Sequence, residues 1–191
     1  MGRASIAPLS DFRDTIAALL ERAGPVDLPA VGAALGRLVS RDEWLDPAWA
    51  EPDPARYQQH LLCLDRAARF SVVSFVWAPG QGTPIHDHGT WGAVGMLRGA
   101  EIAQPYRLDR SGRVLPQGAP HRLEPGDVDL LSPEAGDIHS VRNALDDAVS
   151  ISVHVYGADI GRHRRRLFTP DGDVREFVSG YSDLPALLPG A

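Results

Sequence analysis

The spacing of apolar residues divides the chain into two parts. In LSDFRDTIAALLERAG (9–24), Phe12, Ile16, Leu19, Leu20 and Ala23 recur three and four apart, the period of one helix face. Ser10 or Asp11 stands where an N-cap belongs, and Gly24 where the chain would leave the helix. A second run, LPAVGAALGRLVS (28–40), aligns Val31, Leu35, Leu38 and Val39, although its internal glycines work against a helix. DPAWAEPDPARY (46–57) carries three prolines and reads as a connection.

From residue 57 onward the period changes. HLLCL, FSVVSFVW, GAVGML, EIAQPYRL, DVDLL, AVSISVHVY and REFVSGY are short runs rich in Val, Ile, Phe and Tyr, punctuated by APGQGTP, EPGD and SPEAGD. Many short strands with no helices between them predict an antiparallel sandwich or barrel. The expected architecture is mainly β, a single domain in which a helical segment, residues 1–50, packs on a β-barrel of residues 51–191.

Composition narrows the function classes. The 191 residues, 43% apolar and 23% charged, suit a soluble globular domain. A formal charge of -6 argues against a general nucleic-acid binder, and the basic run GRHRRRL (161–167) is local. The N-terminus lacks the long apolar core of a signal peptide, and no window approaches a membrane span. One cysteine, Cys63, excludes an intramolecular disulfide. The expected location is the cytoplasm, with no membrane or nucleic-acid partner; the oligomeric state is not legible.

Candidate chemistry begins at TPIHDHGTWGAVGML (83–97). On a strand His86 and His88 share a face, which suits two imidazoles to one metal ion. An isolated HxH pair also occurs on ordinary surface strands. PEAGDIHSVRN (133–143) supplies a third imidazole, His139. In SISVHVYG, Ser152, His154 and Tyr156 share one strand face, with Ile151, Val153 and Val155 on the other. Three polar groups on an inner face are costly unless they bond to each other or to a ligand. His60, His121 and His163 read as surface groups, and Trp77 and Trp91 as packing at the barrel ends. Asp87 alternates away from the site; Arg98 and Glu101 read as turn or rim charges.

This pattern resembles the cupin superfamily, whose fold is a double-stranded β-helix, or jelly-roll barrel. Gly80, His86, His88 and Gly99 fit the first cupin motif, and Gly136, His139 and Asn143 fit the tail of the second, with extra residues around Pro133. The resemblance implies that His86, His88 and His139 hold a metal. Where the first motif places a glutamate ligand, this chain has Gly92. Three neutral imidazoles without a carboxylate leave the full charge on a divalent ion and keep positions open for an anionic donor and dioxygen.

A three-histidine cupin with a Ser-x-His-x-Tyr strand is similar to the thiol dioxygenases, the cysteine dioxygenase family. The resemblance covers roughly residues 55–181. It implies Fe(2+) as cofactor and, as substrates, O2 and a small thiol carboxylate that is converted to a sulfinate. His86, His88 and His139 then hold the iron, while Ser152, His154 and Tyr156 form the catalytic relay. Animal members carry a tyrosine–cysteine crosslink at the position of Gly92, which cannot form here, and an arginine for the substrate carboxylate where this chain has Gln59. The glutamine form resembles the bacterial 3-mercaptopropionate type, in which an arginine from another segment meets the carboxylate. By spacing that residue is Arg165, with Arg164 and Arg166 as alternatives. The expected substrate is 3-mercaptopropionate, with L-cysteine second. Two rival readings stand beside it: a non-catalytic metal-binding cupin that senses small acids, and a ring-cleaving cupin dioxygenase, which would ordinarily keep the glutamate.

Overall fold

A computed structural model describes residues 5–169 and 171–188. Two helices open the chain, α1 (Ala7–Leu20) and α2 (Leu28–Val39), followed by one 3-10 turn at Pro47–Trp49. Twelve strands follow: β1 (Gln58–Leu64), β2 (Ser71–Trp77), β3 (Ile85–His86), β4 (Gly92–Arg98), β5 (Glu101–Leu108) and β6 (Val114–Pro116). The second half carries β7 (His121–Leu123), β8 (Val128–Leu131), β9 (Ile138–Asn143), β10 (Ser150–Tyr156), β11 (Arg165–Phe168) and β12 (Val174–Phe177).

Every strand pairing is antiparallel. One sheet runs β1-β2-β10-β4-β8; the other runs β12-β11-β3-β9-β5, with β6 and β7 both pairing β5. The inner eight strands thus alternate as β2-β10-β4-β8 against β3-β9-β5-β7. Early strands lie between late ones, which is the jelly-roll arrangement, and the barrel expected from strand count is a cupin-type double-stranded β-helix.

Alternation along the strands sorts two cores. Val72, Val76, Ala93, Leu97, Ile151, Val153 and Val155 face the helices. Val73, Phe75, Trp77, Val94, Met96 and Tyr156 face the barrel interior. Helix α2 places Val31, Leu35, Leu38 and Val39 against the first sheet, as its period requires. Its glycines fit the same contact: a Cβ on Gly32 would lie 2.7 Å from Leu130 Cδ2. Across the interface, a Cβ on Gly95 of β4 would lie 2.9 Å from Leu35 Cγ.

Several local expectations are corrected. Helix α1 starts at Ala7 with Pro8 in its first turn, where a missing N–H costs nothing, so Ser10 and Asp11 lie inside the helix rather than at its cap. Gly24 adopts φ +104° in the turn beyond Leu20, not directly at the helix end. REFVSGY is strand only to Phe177; past it Gly180 turns with φ +70° and its N–H bonds Gly161.

Candidate metal centre

His86 ends β3 and sits directly opposite His139 of β9. Strand β3 is only two residues long, so His88 lies beyond it and strand alternation alone does not orient it. Asp137 does so instead. Its carboxylate Oδ2 accepts from the backbone N–H of His88 at 3.1 Å and of Gly89 at 2.9 Å. Its carbonyl lies 2.8 Å from His88 Nδ1. A carbonyl only accepts, so this nitrogen carries the proton and the lone pair is on Nε2. His86 Nδ1 is fixed in the same way by the Pro84 carbonyl at 3.1 Å.

The three rings form a near-equilateral triangle, with centroids 4.9 Å apart on every side. One ligating nitrogen from each lies within 4.8 Å of the others, and all three residues are buried. His88 Nε2 finds no hydrogen-bond partner among the described residues. A buried acceptor without a donor is what a metal ligand looks like in the absence of its ion, and the donor set fits a divalent transition metal. Burial lowers the pKa of all three rings, for His86 to about 4, and their mutual proximity adds to this for His88 and His139. They are neutral at ordinary pH, the form that binds a cation.

Ser152, His154 and Tyr156 point into the barrel as one connected row. Ser152 Oγ lies 2.8 Å from His154 Nε2, and His154 Nδ1 lies 2.7 Å from the Tyr156 hydroxyl. The Tyr156 ring stacks on His88, with centroids 5.2 Å apart. Burial holds its phenol well above the usual tyrosine range, and holds His154 down to about 3. Gly92 makes room for this ring: a Cβ there would lie 2.8 Å from Tyr156 Cδ1. Cys63 is buried on the helix-facing side, and burial pushes its thiol up to about 12.

Gln59 and Arg165 line one narrow cavity with His86, Tyr57, Phe75 and Phe177. Both are buried, at 6% and 4% exposure. Gln59 Nε2 and Arg165 Nε have no hydrogen-bond partner among the described residues. The Arg165 guanidinium lies over the Phe177 ring at 4.6 Å and donates to Ser179. Among the described residues no carboxylate lies within ion-pair distance of it. Arg164 instead pairs with Glu176 at the surface, and Arg166 with the buried Asp87. A buried cation with unused donors, next to an unsatisfied amide, is a site for an anion. A larger cavity beside α1 and α2, at Arg37 and Trp44, lies away from the histidines, whereas another, between Tyr106, Leu131 and Ile138, reaches His139 from its other side.

Some residues sit where the sequence did not put them. His60 is buried in β1 opposite Ser74, not at the surface. Glu101 is not a rim charge: it is fully buried, on the barrel-facing side of β5. Trp77 is interior, and its Nε1 lies 3.5 Å from Ser152 Oγ. Asp137 and Tyr57 were passed over. Asp137 could have been suspected from its place two residues before His139; Tyr57 carried no signal at all. His121 is exposed and bonds Asp129, and Arg98 pairs with Asp42 at the surface.

No protein-family model matches the chain. Among solved structures, a double-stranded β-helix protein from Klebsiella pneumoniae is 17% identical, over 70% of this chain and 87% of that one, with a TM-score of 0.45. A Cupin 2 conserved barrel domain protein from Salinispora arenicola is 23% identical over 60% and 86%, with a TM-score of 0.43. Oxalate oxidase in complex with glycolate is 17% identical over 57% and 55%, with a TM-score of 0.45. Each is a likeness of fold, and the jelly roll itself rests on the strand order of this chain. On that order and on the three buried imidazoles, the protein is a cupin-fold chain with a histidine cluster able to hold a metal ion.

Proposed function

We propose that this protein is an Fe(II)-dependent thiol dioxygenase that converts a small thiol carboxylate, foremost 3-mercaptopropionate, to its sulfinate. The observation that carries the reading is the buried Arg165, which has no carboxylate partner among the described residues and lines one cavity with Gln59 and the candidate ligand His86. It supplies an anion site in the same cavity as one of the three candidate metal ligands, and a thiol carboxylate has a ligand for each. The Ser152–His154–Tyr156 row and the resemblance to thiol dioxygenases support the same reading.

In this reading His86, His88 and His139 hold the iron. The bound iron supplies a Lewis-acidic, redox-active centre at which thiolate sulfur and dioxygen meet. The overall change balances without a further reductant: both atoms of O2 end on sulfur, which loses the four electrons that O2 gains, and the S–H proton is released on ionisation. Arg165 and Gln59 take the carboxylate, the guanidinium matching it with two parallel donors. That contact fixes the distance from the carboxylate to the sulfur and so selects chain length. Tyr156, kept protonated by burial, is a fixed hydroxyl at the edge of the histidine cluster, and His154 sets its direction. Tyr57, Phe75 and Phe177 give the cavity aromatic walls around these polar groups.

Oxygen uptake by the iron-loaded protein tests the reading. With 3-mercaptopropionate, one sulfinate should form per O2 consumed, with higher kcat/KM than for L-cysteine. Cysteamine, which lacks a carboxylate, should be the poorest of the three, and a preference for it would remove Arg165 and Gln59 from substrate binding. No uptake with any of these thiols overturns the proposal. Tyr156→Phe should retain iron and lower kcat roughly 10²-fold, the usual cost of one positioned donor.

A further inference from the structure

The polar row in the barrel does not stop at Ser152. Beyond it, on the side away from the histidine cluster, lies the carboxyl of Glu101, with Ser152, Trp77 and Ser150 as its polar neighbours. Glu101 has 0% exposure, and neither of its oxygens makes a well-formed hydrogen bond among the described residues. The Ser150 hydroxyl is likewise unpartnered. Asn143, opposite Glu101 in the sheet, is committed elsewhere, its amide donating to the carbonyls of Trp77 and Ala148. A carboxyl buried this way, with no cation beside it, has no packing rationale: a leucine would fill the space at lower cost.

Its neighbours explain what it can do. The hydrogen bonds Tyr156–His154–Ser152 run in one of two directions, since each member both donates and accepts. If Ser152 donates to His154 Nε2, then His154 Nδ1–H donates to the tyrosine oxygen, and the phenolic proton is free to point into the metal pocket. If His154 Nε2–H donates to Ser152, the phenol must donate to His154 Nδ1 and offers the pocket no proton. Ser152 Oγ is the branch point, and the far group decides the direction. A carboxylic acid donates to Ser152 and drives the first arrangement; a carboxylate accepts from Ser152 and drives the second. Trp77 Nε1–H can donate to Ser152 Oγ in either case.

We propose that Glu101 is a positioning residue that, as a neutral carboxylic acid, orients the Ser152–His154–Tyr156 chain so that the Tyr156 hydroxyl donates into the metal pocket, and that ionisation of Glu101 reverses the chain. The role in turnover rests on the dioxygenase reading; the hydrogen-bond direction does not. Burial raises the Glu101 pKa to about 8, against partial relief from Ser152, Trp77 and Ser150. The other titratable groups of this interior are His154 and Tyr156 on β10 and, further along, the imidazoles His86, His88 and His139. Around Glu101 the packed strands present Trp77 from β2, Met96 from β4, Ala103 from its own β5, Leu123 from β7 and Val141 from β9, all uncharged. The acid form therefore prevails at neutral pH.

The tautomer of His154 reports the direction without any turnover. In full-length protein loaded with diamagnetic zinc, nitrogen NMR should find the His154 proton on Nδ1 at about pH 6 and on Nε2 at about pH 10, either side of the Glu101 value of about 8. Infrared spectra should show a protonated carboxyl band at the lower pH that Glu101→Gln removes. Glu101→Gln should also abolish the pH-driven tautomer change. Ser152→Ala, which cuts the link but spares the carboxyl, should keep the band and lose the change, and it serves if Glu101→Gln does not fold. A His154 tautomer that is constant in the unsubstituted protein, or that still follows pH in either variant, overturns the proposal. In the iron-loaded protein, kcat for 3-mercaptopropionate should decline above about pH 8 and stay level in Glu101→Gln. Absence of any turnover alongside an intact tautomer change would count against the dioxygenase reading and leave the Glu101 chain standing.

Discussion

Asp137 ties two distant segments together at the point where the metal cluster needs it. Its carboxylate takes the backbone N–H groups of His88 and Gly89, and its carbonyl holds the His88 ring. Without that side chain, the segment after β3 has no regular structure to keep His88 facing His86 and His139. Asp137→Ala should therefore weaken metal binding about 10- to 100-fold with little change in the fold, as titration with zinc or iron would measure. An unchanged affinity would mean that the Asp137 carbonyl alone positions the ring. Gly92 acts at the same scale by absence. It stands where the first cupin motif has a glutamate, and the close approach of the Tyr156 ring gives a packing reason why no side chain stands there.

At the scale of elements, the barrel depends on a helix laid across one sheet. Leu35 of α2 is fully buried in the core shared with Val153, Val155 and Ala93, and meets β4 at Gly95. Leu35→Ala should destabilise the protein by about 2–5 kcal/mol in denaturant unfolding, because the sheet cannot follow the lost side chain. Metal affinity should stay as it was, since α2 lies on the face of the sheet away from the histidines; a joint loss of both would show that the helix orders the site. The two helices were legible from period because each buries a single face, and strands such as β2 and β10 from their continuous runs of Val, Ile and Phe, since both of their faces are buried. β9 was not among the runs read as strands, and neither were the short β3, β6, β7 and β11. Two to four residues carry too little alternation to register, and their pairing partners lie far along the chain. No helix among the described residues is long and apolar enough to cross a membrane.

The molecule as a whole buries neutral imidazoles and a protonated carboxyl in one interior, and this shapes its stability against pH. His86, His88, His139 and His154 all have folded pKa values below the usual 6.5, so the unfolded chain binds more protons as pH falls through that value, and stability drops with acid. Glu101 works the other way: its pKa rises from 4.5 to about 8 on folding, so stability is lost as pH rises through that window. Each group contributes about 1.4 kcal/mol per pH unit within its range. Below 6.5 the four imidazoles outweigh the single carboxyl; between 6.5 and 8 the carboxyl acts alone, at about 2 kcal/mol. The metal-free protein should melt highest near pH 6.5, with Tm falling on both sides, and Glu101→Gln should flatten the alkaline side only. A Tm that rises steadily from pH 6.5 to 8 would show that Glu101 is ionised in the folded state.

The sequence by itself determined the class of fold, the three metal-ligating candidates and the polar row on β10. Each is written in local spacing: period two in strands, period near four in helices, and histidines at motif distances. The tertiary structure decided what spacing cannot express. Of three neighbouring arginines it set only Arg165 along the cavity of Gln59 and His86, with Arg164 and Arg166 in ion pairs elsewhere. It moved Glu101 from a supposed rim into the barrel interior, and His60 from the surface into β1. Burial of a charged or polar residue depends on which distant strands close over it, and that information is held by the pairing of the sheets, not by the residue's neighbours in sequence.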